Sequence, residues 1–487
     1  MKKNFIKFYL GLFAIAGVAF SCQDLDEKPE GFVNPGNFYA TIAQGEAALT
    51  GSMEALWNAW GPGYSYGYGN FIQDDQLLDG DLNIGNGFGG DLWSQHYLAI
   101  NNINGVLRGI KKGSLAGVDE AELAQLAGQA HYLRAYNYFA LVRLFGDLPL
   151  ITEDTPDPVV TPIKTRTPVA DVYALIESDF LFAIDNLPTS WGGEPGKPTK
   201  GAAQALLAKA YLTMATAPLN KTENYAKARD MAKALMDAGT YSLVPKVGDV
   251  FMPENKFGPE NIWSFVSTSD DVTTDPQIWT PEIMDGWGDA SIDVLWAENW
   301  LDKRPDEPRQ DAYLILEYDG TPWEEFTEQR PFIRKYVMPY ITDDQYNNLQ
   351  STSITPIIRY ADVVLIYAEA ENMAAGGPTP AAYDALNSIR RRAYDLPLNV
   401  ANVTVDLALG LSKEAFDKAV IEERDFELCL EYDRWFDIIR KRLLNELATK
   451  YHPENIGNVT DDDYLYPIPD FDAKILGSQN PGYTTEN

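Results

Sequence analysis

Between residues 122 and 145 the chain reads ELAQLAGQAHYLRAYNYFALVRLF, and its apolar positions recur at three- and four-residue steps. Leu126, Ala130, Leu133, Asn137, Ala140, Leu141 and Leu144 fall on one face, with Asn137 the single polar interruption. This periodicity predicts an amphipathic helix. Gly146 supplies its C-cap and Pro149 prevents continuation. A second helix is predicted from Pro168 to Asn186, with Pro in its first turn and Pro188 beyond its end. Thr199-Lys-Gly opens a third over 200–216, rich in Ala and suited to close helix–helix approach; a fourth runs from Tyr225 to Ala238, closed by Gly239. Residues 240–357 break the rhythm with Pro, Gly, Asp and Trp, and predict a loop-rich insertion with little regular structure. Helices resume at 359–374, 380–393 and 413–440, and the tail YLYPIPDFDAKILGSQNPGY reads as extended and turn-rich.

The helices come in pairs, with Ala and Tyr at packing positions, which predicts tetratricopeptide-like hairpins although no strict 34-residue repeat is visible. The expected fold is therefore all-α for the most part: one helical domain over residues 41–487, with long irregular insertions.

The N-terminus carries a different pattern. Lys2, Lys3 and Lys7 precede an uncharged apolar run from Phe8 to Phe20, too short to span a bilayer, and small Ser21 then delivers Cys22. Residues 1–21 read as a lipoprotein signal peptide and Cys22 as the acylated new N-terminus, although Ala19 stands where Leu is usual. Residues 22–40 are polar and turn-rich and read as a tether. Function is then expected at a membrane surface outside the cytoplasm, because acyl chains anchor by about 0.8 kcal/mol per buried methylene.

Charge narrows the partners. Lys+Arg 39 against Asp+Glu 71 makes the chain strongly acidic, so nucleic acid is excluded as a partner, since phosphate backbones are held by clustered cations. With Cys22 lipidated, Cys429 has no partner for a disulfide, and its helical setting suits a small buried hydrophobe. Only His96, His131 and His452 exist, which disfavours a His-based zinc site or a Ser/His/Asp triad. Arg134, Arg143, Arg359, Arg424, Arg434 and Arg440 lie in otherwise apolar helices beside Asp362, Glu369, Glu423, Asp433 and Asp437. Buried Arg–carboxylate pairs that pin helix register are expected there.

Six segments together resemble the SusD/RagB family of outer-membrane nutrient-binding lipoproteins: QAHYLRAYNYFALVRLFGDLPLIT (129–152), KPTKGAAQALLAKAYLTMA (197–215), IIRYADVVLIYAEAENMA (357–374), LNSIRRRAY (386–394), IEERDFELCLEYDRWFDIIR (421–440) and the tail at 464–483. The resemblance implies four tetratricopeptide-like hairpins as scaffold and irregular segments as the ligand face. It implies a place on the extracellular face of the outer membrane, as a lid over a SusC-like TonB-dependent transporter. It further implies glycan capture without catalysis; peptide uptake of the RagB type and glycoside hydrolysis are the alternatives. Asp24, Asp26 and Glu27 after Cys22 resemble the surface-export signal of Bacteroidetes lipoproteins.

Sugars present C–H-rich faces ringed by hydroxyls, so a binder needs aromatic platforms with amides or carboxylates nearby. Two stretches have that composition. The first, 57–93, offers Trp60, Tyr64, Tyr66, Tyr68, Asp74, Asn86 and Trp93; the second, 279–300, offers Trp279, Trp287 and Trp296. Trp57 and Trp93 have core packing as an equal alternative, since Trp93, Tyr97 and Ile100 share a helical face. The resemblance places ligand contacts in loops of these two regions. Other motifs fail. The GxGxxG at 85–90 follows no strand, and Ile84 stands where a calcium loop from Asp79 needs Gly. Asp74-Asp75 and Asp270-Asp271 could supply a glycosidase pair only across a cleft that sequence does not reveal. No cofactor and no metal is expected.

Overall fold

Asp119 caps the longest of the described helices: Ala121 N–H donates to its side chain at 2.9 Å, and Gly146, at φ 71° and ψ −126°, ends the helix in a conformation that favours glycine. The computed structural model describes residues 39–60, 88–115, 117–156, 161, 163–193, 196–266, 276–337, 339–348, 351, 355–431, 433–453 and 457–484. The leader, Cys22 and the tether up to residue 38 lie outside them. Within the unit from Tyr39 onward the first helices are α1 (Ile42–Trp60), α2 (Phe88–Lys111), α3 (Glu120–Phe145), α4 (Val169–Asn186), α5 (Lys200–Met214) and α6 (Asn224–Ala238). The insertion carries α7 (Val294–Lys303), and after it come α8 (Tyr360–Ala375), α9 (Pro380–Ala393), α10 (Lys413–Glu427), α11 (Arg434–Lys441), α12 (Leu444–Tyr451) and α13 (Asp470–Leu476). Among the described residues no helix is long and apolar enough to cross a membrane.

Four hairpins, α1/α2, α3/α4, α5/α6 and α8/α9, stack side by side among the described residues. Ala202, Ala203, Ala205, Ala208 and Ala210 of α5 are all buried, so neighbouring backbones approach closely across a row of methyl groups. Helix α6 packs on α8 although residues 239–359 intervene, so the stack closes as if the insertion were absent. The expected all-α architecture is what the chain adopts.

The insertion leaves and returns through an antiparallel pair, β1 (Asn261–Phe265) with β2 (Thr355–Arg359), and holds two-residue strand pairs at 314–315/332–333 and 317–318/321–322. It is thus more regular than composition suggests, because helix α7 and these short pairs carry much of it. Its anchorage is ionic. Glu260 accepts from Arg359 at 2.8 Å and Arg392 at 2.5 Å; Glu427 accepts from Arg309 at 2.8 Å and Arg392 at 2.6 Å. All of these groups are buried, and removing one partner of such a pair costs about 3–5 kcal/mol because the other charge is stranded.

The expected helix over 413–440 is broken. Leu430 takes φ 63°, and the turn at 428–431 breaks the helix between α10 and α11. The insertion captures the carbonyls that the break exposes: Lys335 Nζ donates to Cys429 O at 2.8 Å and Glu431 at 2.7 Å, and Tyr336 OH donates to Leu430 O at 2.8 Å. Cys429 is buried there, and burial pushes its thiol up to about 11, so it is an inert packing group.

The helical ion pairs take the expected form. Arg424 bonds Asp362 at 2.6 Å and Asp437 at 2.7 Å; Arg440 grips both oxygens of Glu369 at 2.6 and 2.7 Å; Arg134 holds Asp179 at 2.7 and 2.9 Å. Arg143 sits between the rings of Phe139 and Phe436, 3.8 and 3.4 Å from their centroids.

Candidate functional site

Residues 276–293 cross the surface as a turn tied to itself. Trp287 N–H donates to Gln277 O at 2.9 Å, Gly288 N–H to Thr280 O at 3.1 Å and Ala290 N–H to Ile278 O at 2.9 Å. Thr280 Oγ1 lies 2.8 Å from Tyr346 OH, which donates to Met284 O at 2.7 Å. Burial raises the Tyr346 phenol above its ordinary range, so it stays protonated and keeps donating. Glu328 accepts from Glu282 N–H at 2.9 Å and lies where a Cβ on Gly288 would meet its carboxylate at 2.6 Å. Gly288, at φ 70°, is therefore required twice, by conformation and by space.

This bracing presents Trp287 outward, 46% exposed, with Ile283 exposed beside it and the exposed carboxylates of Glu282 and Asp285 on the same turn. An exposed indole carried on an ordered backbone, with acceptors on the same turn, offers a sugar ring a stacking face and hydroxyl partners. Among the described residues no cluster of three or more His, Cys, Asp or Glu is arranged to hold a metal ion.

The other candidates fare differently. Trp279 is 3% exposed and packs 5.8 Å from Tyr336. Trp296 is 1% exposed, donates to the Asp425 carboxylate at 3.1 Å and packs edge-on to Trp300 at 5.4 Å. Trp93 is 4% exposed, packed edge-on to Phe145 at 5.0 Å. These three rings are covered by protein and offer no open platform, which corrects their place among the ligand-facing candidates; each faces the core from a helix or a braced turn. Trp57, on the last turns of α1, packs 5.3 Å from Phe265. Trp60 ends α1, and its side chain, like Tyr64, Tyr66, Tyr68, Asp74 and Asn86, lies outside the described residues. Sequence reasoning missed Ile283, Glu328 and Tyr346. Gly286 and Gly288 flanking Trp287 were the available signal for a tight turn, but its braces come from distant positions.

Comparison with known proteins places both candidate regions in context. A family model described as SusD family matches residues 274–483, and one described as starch-binding associating with outer membrane matches residues 69–212. SusD-like protein P2 of Formosa agariphila is 27% identical, covering 99% of this chain and all of the relative. A SusD-like protein of Bacteroides ovatus is 25% identical over 89% of this chain and 82% of its own length. Among solved structures, a SusD homolog from Bacteroides thetaiotaomicron superposes with a TM-score of 0.79 at 22% identity, covering 92% of this chain and 98% of the homolog. A surface glycan-binding protein A from Bacteroides uniformis superposes with a TM-score of 0.73 at 22% identity, covering 90% and 99%. These likenesses establish a shared fold.

Proposed function

Because the chain belongs to the SusD/RagB family, we propose that it is a surface lipoprotein that captures oligosaccharide or polysaccharide and passes it to a SusC-like TonB-dependent transporter in the outer membrane. The observation that carries this reading is the exposed indole of Trp287 on a cross-tied turn, inside the segment that the SusD family model matches. It binds without cleaving: the carboxylates beside Trp287 are exposed on the turn, a setting for accepting hydrogen bonds from sugar hydroxyls. Acylation at Cys22 holds it to the membrane, with the helical unit outside the cell. The proposed platform also draws on Trp60, Tyr64, Tyr66, Tyr68, Asp74 and Asn86.

Calorimetry across a panel of neutral polysaccharides tests the capture. Trp287→Ala is expected to weaken the bound glycan by about tenfold, which is the order of one lost stacking contact. Product analysis of the same mixtures is expected to show no new reducing ends. Turnover, or competition by peptides and not by glycans, would overturn the reading. Cys22→Ala is expected to release the protein from the membrane fraction.

A further inference from the structure

A second, unassigned cleft opens along strand β1, which lines it with Asn261, Ile262, Trp263 and Ser264. It encloses about 570 Å³ among residues 189–193, 196–199 and 240–266. Cavities of that size hold small organic ligands. Four aromatic residues line it: Trp191, Tyr241, Phe257 and Trp263, with Phe257 half exposed and Trp263 buried in its floor, where its indole N–H donates to Gly196 O at 2.9 Å. Trp191 is fixed in place, because its indole N–H donates to Pro198 O at 2.8 Å and Gly193 N–H donates to Trp191 O at 2.9 Å. Tyr241 lies so tightly on α5 that a Cβ at Gly201 would meet its ring at 2.6 Å, and its hydroxyl is 3.1 Å from Thr199 Oγ1. The walls are thus preorganised aromatic surfaces interleaved with hydroxyls.

Charge selects the ligand further. Among the described residues that line the cleft none is Asp or Glu, and the single cation, Lys197, is 3.1 Å from Glu46 and 5.0 Å from the Trp191 centroid. That ion pair cancels the local charge, and a chain of net charge -32 repels anions. We infer that this cleft is a second saccharide subsite that takes a short neutral oligosaccharide stacked on Trp191. It deepens the glycan-capture reading and rests on it for the ligand class, but it uses none of the residues of the platform around Trp287.

The test titrates the full chain in detergent with neutral hexasaccharides of α-1,4-glucan, β-1,4-glucan and β-1,4-mannan, and with oligogalacturonate as the acidic counterpart. A neutral ligand is expected to fill two sites. Trp191→Ala is expected to lower affinity at one of them about tenfold, and Trp191→Phe to retain most of it. In Trp287→Ala the ligand is expected still to protect amides of 189–193 and 257–264 from hydrogen exchange. If Trp191→Ala titrates like the wild type and those amides stay unprotected while Trp287→Ala abolishes binding, the inference fails and glycan capture stands. Preference for oligogalacturonate at Trp191, with affinity that falls as salt rises, also overturns it. If no saccharide binds, both readings fail together.

Discussion

Trp279 and Trp287 belong to the same turn, yet one ring is 3% exposed and the other 46%. Composition treats the two alike, since each sits beside turn-forming residues; what separates them is that Tyr336 closes over the first. Burial of a ring in an irregular segment is decided by partners far away in sequence, so Trp287 was legible as a surface indole only up to that ambiguity, and Trp296 was misread for the same reason. Charged residues within apolar helices were more legible, because an arginine cannot stay buried unpaired. Glu369 shows the consequence. It is fully buried, accepts both forks of Arg440 and bonds Lys441 at 2.7 Å, and these cations hold its carboxyl down at about 2 against the desolvation that raises it. Glu369→Gln removes the charge while keeping the shape, and it is expected to destabilise the fold by about 3 kcal/mol. Urea unfolding at neutral pH measures this, and a midpoint within error of the wild type would contradict it.

At the scale of elements, periodicity located α3, α4, α5, α6, α8 and α9 to within a residue or two, because caps and Ala-rich faces are local signals. The break between α10 and α11 had no such signal. The stretch Phe426–Arg434 has neither Gly nor Pro, and Leu430 is driven to φ 63° by partners in the insertion rather than by its own preference. Lys335 is the strongest of these. Its ammonium is buried, bonded to Cys429 O and Glu431, and lies 3.6 Å from the Tyr313 ring centroid. Lys335→Met keeps the aliphatic stem and removes the donors, leaving Glu431 short of a cation and a main-chain carbonyl unsatisfied. A loss of about 3–5 kcal/mol is expected. Hydrogen exchange should rise first at 428–431, while the α8/α9 hairpin keeps its protection. Uniform loosening of both would show that Lys335 serves general stability rather than this turn.

For the whole molecule, acid response follows from how its buried charges are distributed. Burial, aggravated by Asp362 and Asp437, pushes Asp433 up from 3.8 to about 6, against Lys209 at 2.7 Å. Asp362 shares Lys209 and also bonds Arg424, and these cations bring it down from 3.8 to about 2 despite its burial. A raised carboxylate penalises the folded state above its folded pKa, and the penalty is relieved as pH falls from about 6 towards 3.8. A depressed one stabilises above its unfolded pKa, and that contribution is lost as pH falls towards about 2; Glu369, at about 2 against an ordinary 4.5, acts in the same sense. Self-repulsion of a chain at -32 also eases on mild acidification. Stability is therefore expected to rise from pH 7 to about pH 5, by at most about 3 kcal/mol from Asp433, and to fall below about pH 4. Denaturant unfolding across pH 3–8 reads this profile, and Asp433→Asn is expected to flatten its upper limb while leaving the acid limb in place. A maximum at or above pH 7, unchanged in Asp433→Asn, would mean that Lys209 neutralises both carboxylates at neutral pH and that the pair shares no proton.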